Sequence, residues 1–139
     1  MKKVIQLSIA TALLGALFIT SCNPADDPTV TPANTDPREK FHGNWSVSEN
    51  SKDYGTSTYN CTITDSSQAS YIFIAYLYGF NKKAYSIVSG STLSIPTQII
   101  QGNSLSGNGV LSNANQINLT YYVQTTGTHY DTITAVLTK

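Results

Sequence analysis

The side chains able to act as acids, bases or metal ligands are few after residue 40. They are His42, Glu49, Asp53, Cys61, Asp65, His129 and Asp131. A zinc site uses three or four such ligands, and no Asp-rich calcium loop is present. No metal or other cofactor is therefore predicted.

Catalysis has little support in the same residues. No Gly-x-Ser-x-Gly turn marks a serine nucleophile. His129 and Asp131 flank Tyr130 and could orient a base, although turns before strands commonly contain such residues. We predict that the protein is not an enzyme, and we keep a weak hydrolase or accessory enzyme using His129 and Asp131 as an alternative.

One further reactive group stands near the N-terminus, at Cys22. Lys2 and Lys3 precede a mostly apolar stretch that runs to Thr20. A bilayer-spanning helix needs about 20 apolar residues, so a signal peptide over residues 1–21 is favoured over a membrane anchor helix.

The sequence Ile19-Thr20-Ser21-Cys22 resembles the bacterial lipobox. The resemblance implies that the Cys22 thiol receives a diacylglyceryl group, that cleavage follows Ser21, and that further acyl chains such as palmitate are added. Two or three chains anchor a protein stably, whereas one chain binds only marginally. We therefore expect a lipoprotein whose membrane contact is the lipid anchor at Cys22.

Residues 22–40 are rich in proline, threonine, aspartate and asparagine, which predicts a flexible, extended tether. Asp26 and Asp27 look like the acidic signal that sends lipoproteins of Bacteroidota to the cell surface; two solvated linker charges are the alternative. We expect the protein in the outer membrane, at the cell surface, with the periplasmic face as the other possibility.

The elements that position the later residues are predicted to be strands. Apolar and polar residues alternate at Trp45–Glu49, Tyr59–Ile63, Ile117–Val123 and Ile133–Leu137, as in half-buried antiparallel strands. Turn signals divide residues 41–139 into about eight strands, which indicates an all-β barrel or a β-sandwich. Tyr71–Phe80 is expected to form one strand, and Pro96 is expected to end another.

Composition agrees with this fold class and excludes one class of partner. Charged residues make up 12% of the chain and the formal net charge is zero. A nucleic-acid-binding domain usually carries a basic patch, so no nucleic acid is expected. Cys61 lacks a partner once Cys22 is acylated, and it is predicted to be a buried hydrophobe.

Phe41-His42-Gly43-Asn44-Trp45 resembles the first-strand signature of lipocalin-like proteins, in which an aromatic residue precedes Gly-x-Trp. The stretches 77–80, 88–98 and 105–109 look like small lipocalin-like or calycin-like lipoproteins of Bacteroidota. The resemblance implies a closed antiparallel barrel over residues 41–139, with Gly43 and Trp45 at its closure. Lipocalins place an arginine across this tryptophan, and here only Lys139 is available for that position.

In such a barrel the first and last strands pair, with Trp45 near Leu137 and Glu49 near Ile133. We expect side chains to fill most of the interior, which in an eight-stranded barrel accommodates side chains or one small ligand. Eight bulky residues are predicted to lie there: Trp45, Tyr59, Ile63, Ile117, Leu119, Tyr121, Ile133 and Leu137.

These expectations point to a non-catalytic binding or interaction module of the cell envelope. Exposed tyrosines could stack on a glycan or anchor a protein. A carrier of a small apolar ligand inside the barrel is the first alternative.

Overall fold

The computed structural model describes residues 36–139, which form a closed barrel of eight strands. Each strand pairs antiparallel with the next along the chain, and the last strand pairs with the first. The strands are β1 (Gly43–Ser51), β2 (Gly55–Asp65), β3 (Tyr71–Ala75), β4 (Lys83–Ser89), β5 (Thr92–Ile100), β6 (Asn103–Asn113), β7 (Gln116–Thr126) and β8 (His129–Thr138). The predicted eight-stranded antiparallel barrel is confirmed, and the β-sandwich alternative is wrong.

The connections alternate between the two ends of the barrel, because every strand runs antiparallel to its neighbours. We call the end at which β1 begins the closed end, where a 3-10 turn at Glu39–Phe41 packs. We call the opposite end, where β1 passes into β2 at residues 51–55, the mouth. Any side chain can thus be assigned to one end from its place along its strand.

Trp45 fills the closed end. It is 1% exposed, and its indole Nε1 donates a hydrogen bond to the carbonyl oxygen of Phe41 at 2.8 Å. The ammonium of Lys139 lies 4.6 Å from the Trp45 ring centroid. Gly43 has φ of 115° beside this contact, a conformation that glycine adopts readily and residues with a Cβ rarely do.

The β1–β8 pairing differs in register from the expected one by two residues. Val47, rather than Trp45, lies opposite Leu137, and Ser51, rather than Glu49, lies opposite Ile133. A two-residue slip keeps the same side chains pointing inward. The alternation pattern therefore identified the strands and their faces but could not distinguish these two registers.

Two strand boundaries also differ from expectation. The strand predicted for Tyr71–Phe80 ends at Ala75, since Tyr76 and Tyr78 have positive φ angles of 65° and 57° around a second 3-10 turn, Leu77–Gly79. Pro96 lies within β5 rather than ending a strand. It sits at a register shift between Ile95 and Gln98, where a bulge accommodates the missing N–H.

Residues 36–40, which the sequence assigned to the tether, are part of the folded domain. The Arg38 guanidinium Nη1 donates to the carbonyl oxygens of Ser66, Gln68 and Tyr71 at 3.0, 3.0 and 3.1 Å. The carbonyls of Gln68 and Tyr71 also accept from backbone N–H groups, so Arg38 gives each a second donor and ties residues 36–40 to the β2–β3 connection. The predicted signal peptide, Cys22, Asp26, Asp27 and the rest of the tether lie outside the described residues.

The barrel interior is occupied by side chains. Of the eight residues predicted to line it, seven are buried and Tyr59 is half-buried. Cys61 is 1% exposed, as predicted, and burial raises the pKa of its thiol to about 12. Gly107 and Gly109 of β6 are also buried, and their missing side chains leave space for Tyr121 and Leu119 of β7.

Candidate functional site

The mouth contains a carboxylate that points inward from β1. Glu49 is 7% exposed, because the alternation that buries Trp45 and Val47 continues to this position. Its oxygens accept hydrogen bonds from the Tyr121 hydroxyl at 2.5 Å and the Tyr59 hydroxyl at 2.7 Å. The Ser57 hydroxyl donates a third bond at 3.0 Å. Hydroxyl groups from β2 and β7 thus hold this acid in place.

A second carboxylate, Asp131, enters the mouth from β8 and is fully buried. The Ser51 hydroxyl donates to it at 2.5 Å and the Tyr78 hydroxyl at 3.0 Å. The backbone N–H of Asp53 donates at 3.2 Å. The carboxylate therefore links the end of β1, the β1–β2 turn and the second 3-10 turn.

The two carboxylates belong to one hydrogen-bonded network. The Tyr59 hydroxyl, which donates to Glu49, accepts from the backbone N–H of Tyr78 at 3.0 Å. The Tyr78 hydroxyl in turn donates to Asp131. The network holds the left-handed backbone of the second 3-10 turn in place, and strained non-glycine residues are characteristic of functional sites.

Neither buried carboxylate has a cationic partner. Across residues 36–139, the ion pairs within 4.0 Å are those of Arg38 with Asp36 and Asp65, His42 with Asp65, and His129 with Asp53. Buried charges are ordinarily paired, so Glu49 and Asp131 are unusual in having only hydroxyl and backbone donors. The mouth is acidic and rich in tyrosine.

Burial and the carboxylates act together on the tyrosine hydroxyls. Desolvation raises the pKa of Tyr59 and of Tyr78 above the ordinary value, and the hydrogen bonds to Glu49 and Asp131 raise them further. Desolvation is also the largest cause of the raised pKa of Tyr121, followed by Tyr59 and Glu49. The three phenols keep their protons and serve as donors to the carboxylates.

An open pocket of about 260 Å³ lies over this network. It is lined by Glu49, Ser51, Tyr54, Gly55, Ser57 and Tyr78. The Tyr54 side chain is 73% exposed, and its ring centroid lies 6.4 Å from that of Tyr78 at an interplanar angle of 67°. Two tyrosine side chains, two serine hydroxyls and a carboxylate thus converge on a space smaller than the roughly 300–1,000 Å³ of a drug-sized ligand site.

Two other open pockets lie elsewhere on the described domain. One of about 730 Å³ lies mainly on the outer faces of β6, β7, β8 and β1, where serine, threonine and asparagine predominate, and its lining also includes Thr56 of β2 and Glu49. The other, about 360 Å³, lies beside Tyr71, Phe73 and Tyr85. Neither contains a convergence of buried polar groups like that at the mouth.

The two residues that the sequence proposed as an alternative catalytic site contact different partners. His129 Nε2 lies 2.6 Å from Asp53 Oδ2, while Asp131 contacts Ser51 and Tyr78. Within residues 36–139 no serine hydroxyl is hydrogen-bonded to His129. The serine nearest to Asp131 donates directly to the acid, so the arrangement lacks the serine–histidine contact of a catalytic triad.

Sequence reasoning did not identify Glu49 as a site residue, and it did not connect Tyr59, Tyr78 and Tyr121 to it. A signal was present, because Glu49 occupies an inward position of the alternation that begins at Trp45. An acid on the apolar face of a strand requires donors in the interior, and tyrosines on two other strands were predicted to face inward.

Two observations concern ligands and membranes. In the part of the chain that the structure describes, no three His, Cys, Asp or Glu residues are grouped closely enough to bind a metal ion. No helix among the same residues has the length and hydrophobicity needed to cross a bilayer.

Comparison with known proteins identifies relatives of the fold. No protein-family model matches the chain, and no curated protein does. Three of the solved structures that match have TM-scores of 0.55 to 0.56, each over 75% of this chain. One is the redesigned barrel b11L5F_LGL, 10% identical and covered over 95% of its length. The others, both described as bound to DFHBI, are EF1p2_mFAP2b and the redesigned barrel mFAP1, each 14% identical and covered over 97% and 99%.

At these identities the similarity shows the fold alone. The domain is an eight-stranded antiparallel β-barrel whose architecture fits a lipocalin-like or calycin-like fold.

Proposed function

We propose that this chain is a non-catalytic binding module of the cell envelope, anchored through lipid at Cys22, and that it binds a small ligand at the mouth. The observation that carries the proposal is the convergence of Glu49, Ser57 and two tyrosine rings on an open pocket. Ligand sites commonly combine aromatic walls with a few well-placed polar groups.

The location at the mouth distinguishes this proposal from a carrier with its ligand inside the barrel. Trp45, Tyr121 and the branched aliphatic side chains occupy the interior. Two similar barrels are described as bound to DFHBI, which supports small-molecule binding by barrels of this architecture. In this chain a ligand of that size would have to displace packed side chains, whereas the mouth is open.

The network also favours binding over catalysis. The hydroxyls of Ser51, Tyr59 and Tyr121 donate to carboxylates that have no histidine beside them. A hydroxyl nucleophile needs a base that takes its proton and is itself oriented by a third group. Here the acids act as acceptors that fix the walls of the pocket.

The binding site can be mapped by NMR on the full chain, 15N-labelled and held in a non-ionic polyoxyethylene detergent. A library of small polar and aromatic compounds should shift the backbone amides of Ser51, Tyr54, Gly55 and Tyr78. DFHBI serves as the probe for the interior. Shifts confined to core amides such as Leu105 and Ile117 would support the carrier instead, and a library without any shift at the mouth would contradict the proposal.

The anchor has its own test. We expect Cys22→Ser to remain unprocessed and to lose incorporation of labelled palmitate, because the thiol is the proposed attachment point. Cys61→Ser is the matched control and should retain the label. Label that persists on Cys22→Ser would refute the lipoprotein assignment.

Surface display is tested separately. If Asp26 and Asp27 form an export signal, replacing both with alanine should make the protein resistant to protease added to intact cells. Unchanged digestion would show that the two acids are ordinary tether residues.

A further inference from the structure

The hydrogen-bond directions at the mouth restrict what the pocket can bind. Ser51, Ser57 and Tyr78, three of the lining residues, each direct their hydroxyl proton to a carboxylate. A hydroxyl has only one proton to donate. The Ser51 oxygen already accepts from the backbone N–H groups of Asp53 and Tyr54. The lone pairs open to the pocket are therefore those of Ser57 and Tyr78, together with the Glu49 carboxylate, so the complementary ligand is a hydrogen-bond donor or a cation.

The charge around the pocket has the same sign. Glu49 lines it, and Asp131 lies one hydrogen bond behind Ser51 and Tyr78. Asp53 is paired with His129 at the rim. Lys52, the basic residue in the same turn, makes no ion pair within 4.0 Å in the described part of the chain. The cationic partner that buried carboxylates ordinarily have is thus missing from the domain itself.

The aromatic walls supply a second and independent feature. Tyr54 and Tyr78 stand edge to face at 6.4 Å, and Tyr78 also contacts Phe80 and Tyr121 at 5.3 and 6.3 Å. The Tyr78 ring packs against those of Phe80 and Tyr121, whereas most of the Tyr54 side chain is exposed to solvent. Aromatic faces attract organic cations through the ring quadrupole. The two rings line part of a pocket that is open to solvent and that Glu49 also lines. They thus resemble half of an aromatic cage.

We infer that the pocket binds a small organic ammonium group, with its positive charge against the Tyr54 and Tyr78 rings and directed towards Glu49. This inference rests on the proposed function and adds the class of ligand. A quaternary ammonium suits the site because it needs no directional donors at the rings and, having no N–H proton, remains charged at every pH. At about 260 Å³ the pocket accommodates a headgroup rather than a large molecule.

Choline and dimethylbutanol, in which a carbon atom replaces the nitrogen, form the discriminating pair of probes. We expect calorimetry on the full chain, in polyoxyethylene detergent, to show choline binding about tenfold more tightly than its neutral isostere. Added sodium chloride should weaken choline binding, since the pocket is open to solvent and its charges are screened. Methyl glucoside is the third probe, because a neutral sugar also donates hydrogen bonds and stacks on aromatic rings.

Variants locate the interaction. Tyr54→Leu should abolish most of the preference for choline, whereas Tyr54→Phe keeps the ring and should retain it. Tyr54 is exposed, so both variants are expected to fold, and Tyr122→Leu on the outer face of β7 is the matched control. Glu49→Gln removes the charge, and it should lower the ratio of choline affinity to dimethylbutanol affinity.

Each outcome bears on a different part of the inference. Equal affinity for choline and dimethylbutanol, or tighter binding of methyl glucoside, would overturn the ammonium assignment while leaving a ligand site at the mouth. Choline binding that Tyr54→Leu does not weaken would also overturn it, because the cation would then lie elsewhere. Absence of binding by all three probes overturns the ammonium assignment, and the proposed function falls as well only if the NMR library also leaves the mouth unshifted.

Discussion

Replacing Gly107 with alanine would place a methyl group where β7 already lies. A Cβ on this residue would be 2.5 Å from the Cβ of Tyr121, 2.6 Å from the carbonyl oxygen of Thr120 and 2.7 Å from the Cα of Tyr121. These neighbours are backbone atoms and the first side-chain carbon, so no rotamer change removes the contacts. The strands themselves must separate.

Inserting a carbon into a packed core costs about 1–3 kcal/mol. The loss of glycine's freedom in the unfolded chain offsets about 0.4–1 kcal/mol of this cost. Because the backbone must move, we place Gly107→Ala near the upper limit, with a net loss of about 2 kcal/mol in the free energy of unfolding. Gly109→Ala is the matched control, since its closest neighbour is the Cδ1 of Leu119 at 2.8 Å. That flexible methyl can rotate away, and the expected loss is about 0–1 kcal/mol.

Urea unfolding followed by Trp45 fluorescence measures the difference. With a slope of about 1–3 kcal/mol per molar urea, Gly107→Ala should unfold at about 0.7–2 M lower urea than the parent. The double variant Gly107→Ala, Tyr121→Ala should not recover, because Tyr121 Cβ and the Thr120 carbonyl remain. Equal midpoints for the Gly107→Ala and Gly109→Ala variants, or recovery in the double variant, would refute the close approach of β6 and β7.

Three other predictions concern the two ends and the core. Trp45→Ala should lower the free energy of unfolding by about 3–5 kcal/mol, as expected for truncating a buried aromatic. Lys139→Ala should lower it by about 0.5–1 kcal/mol in the same urea assay. Similar losses for the two variants would contradict the packing at the closed end. Since the folded-state pKa values of Tyr59 and Tyr121 are raised above the unfolded value of about 10, stability should be retained below pH 10 and fall as the pH rises beyond it. Tyr121→Phe should reduce the steepness of that fall, and an unchanged slope would contradict the linkage. Cys61 should react with iodoacetamide only at the rate of unfolding, because its thiol is buried with a pKa of about 12; rapid labelling of the native protein would exclude this burial.

The sequence was sufficient to predict the strands, their faces and most of the core. The period-two alternation is a direct consequence of side chains pointing to opposite faces of a strand, and it identified Trp45, Ile117 and Leu137 as interior residues. It could not identify the β1–β8 register, because a shift by two residues buries the same set. Barrel closure itself also depends on how the sheet coils, which no single strand encodes.

The mouth was harder to predict, because its contacts join residues that are distant in the chain. Glu49 and Tyr121 are brought together by the pairing of β1, β8 and β7. The left-handed conformations of Tyr76 and Tyr78 have no local signal, since neither residue favours positive φ. Hydrogen bonds that Tyr78 donates to the Tyr59 hydroxyl and to the Asp131 carboxylate hold it in place. His129 and Asp131 are two residues apart, and the sequence therefore suggested that they act as a pair. In the structure His129 contacts Asp53 instead.

Barrel closure places a constraint on how the chain folds. The pairing of Ser46 with Thr138 joins residues separated by nearly the whole length of the domain. Such non-local pairing raises the contact order and slows folding, because the entropy of closing the loop is lost before the contact forms. Until β8 emerges, β1 and β7 each retain an unpaired edge, which is open to pairing with other chains. A nascent chain therefore cannot complete its native barrel before its last strand is available.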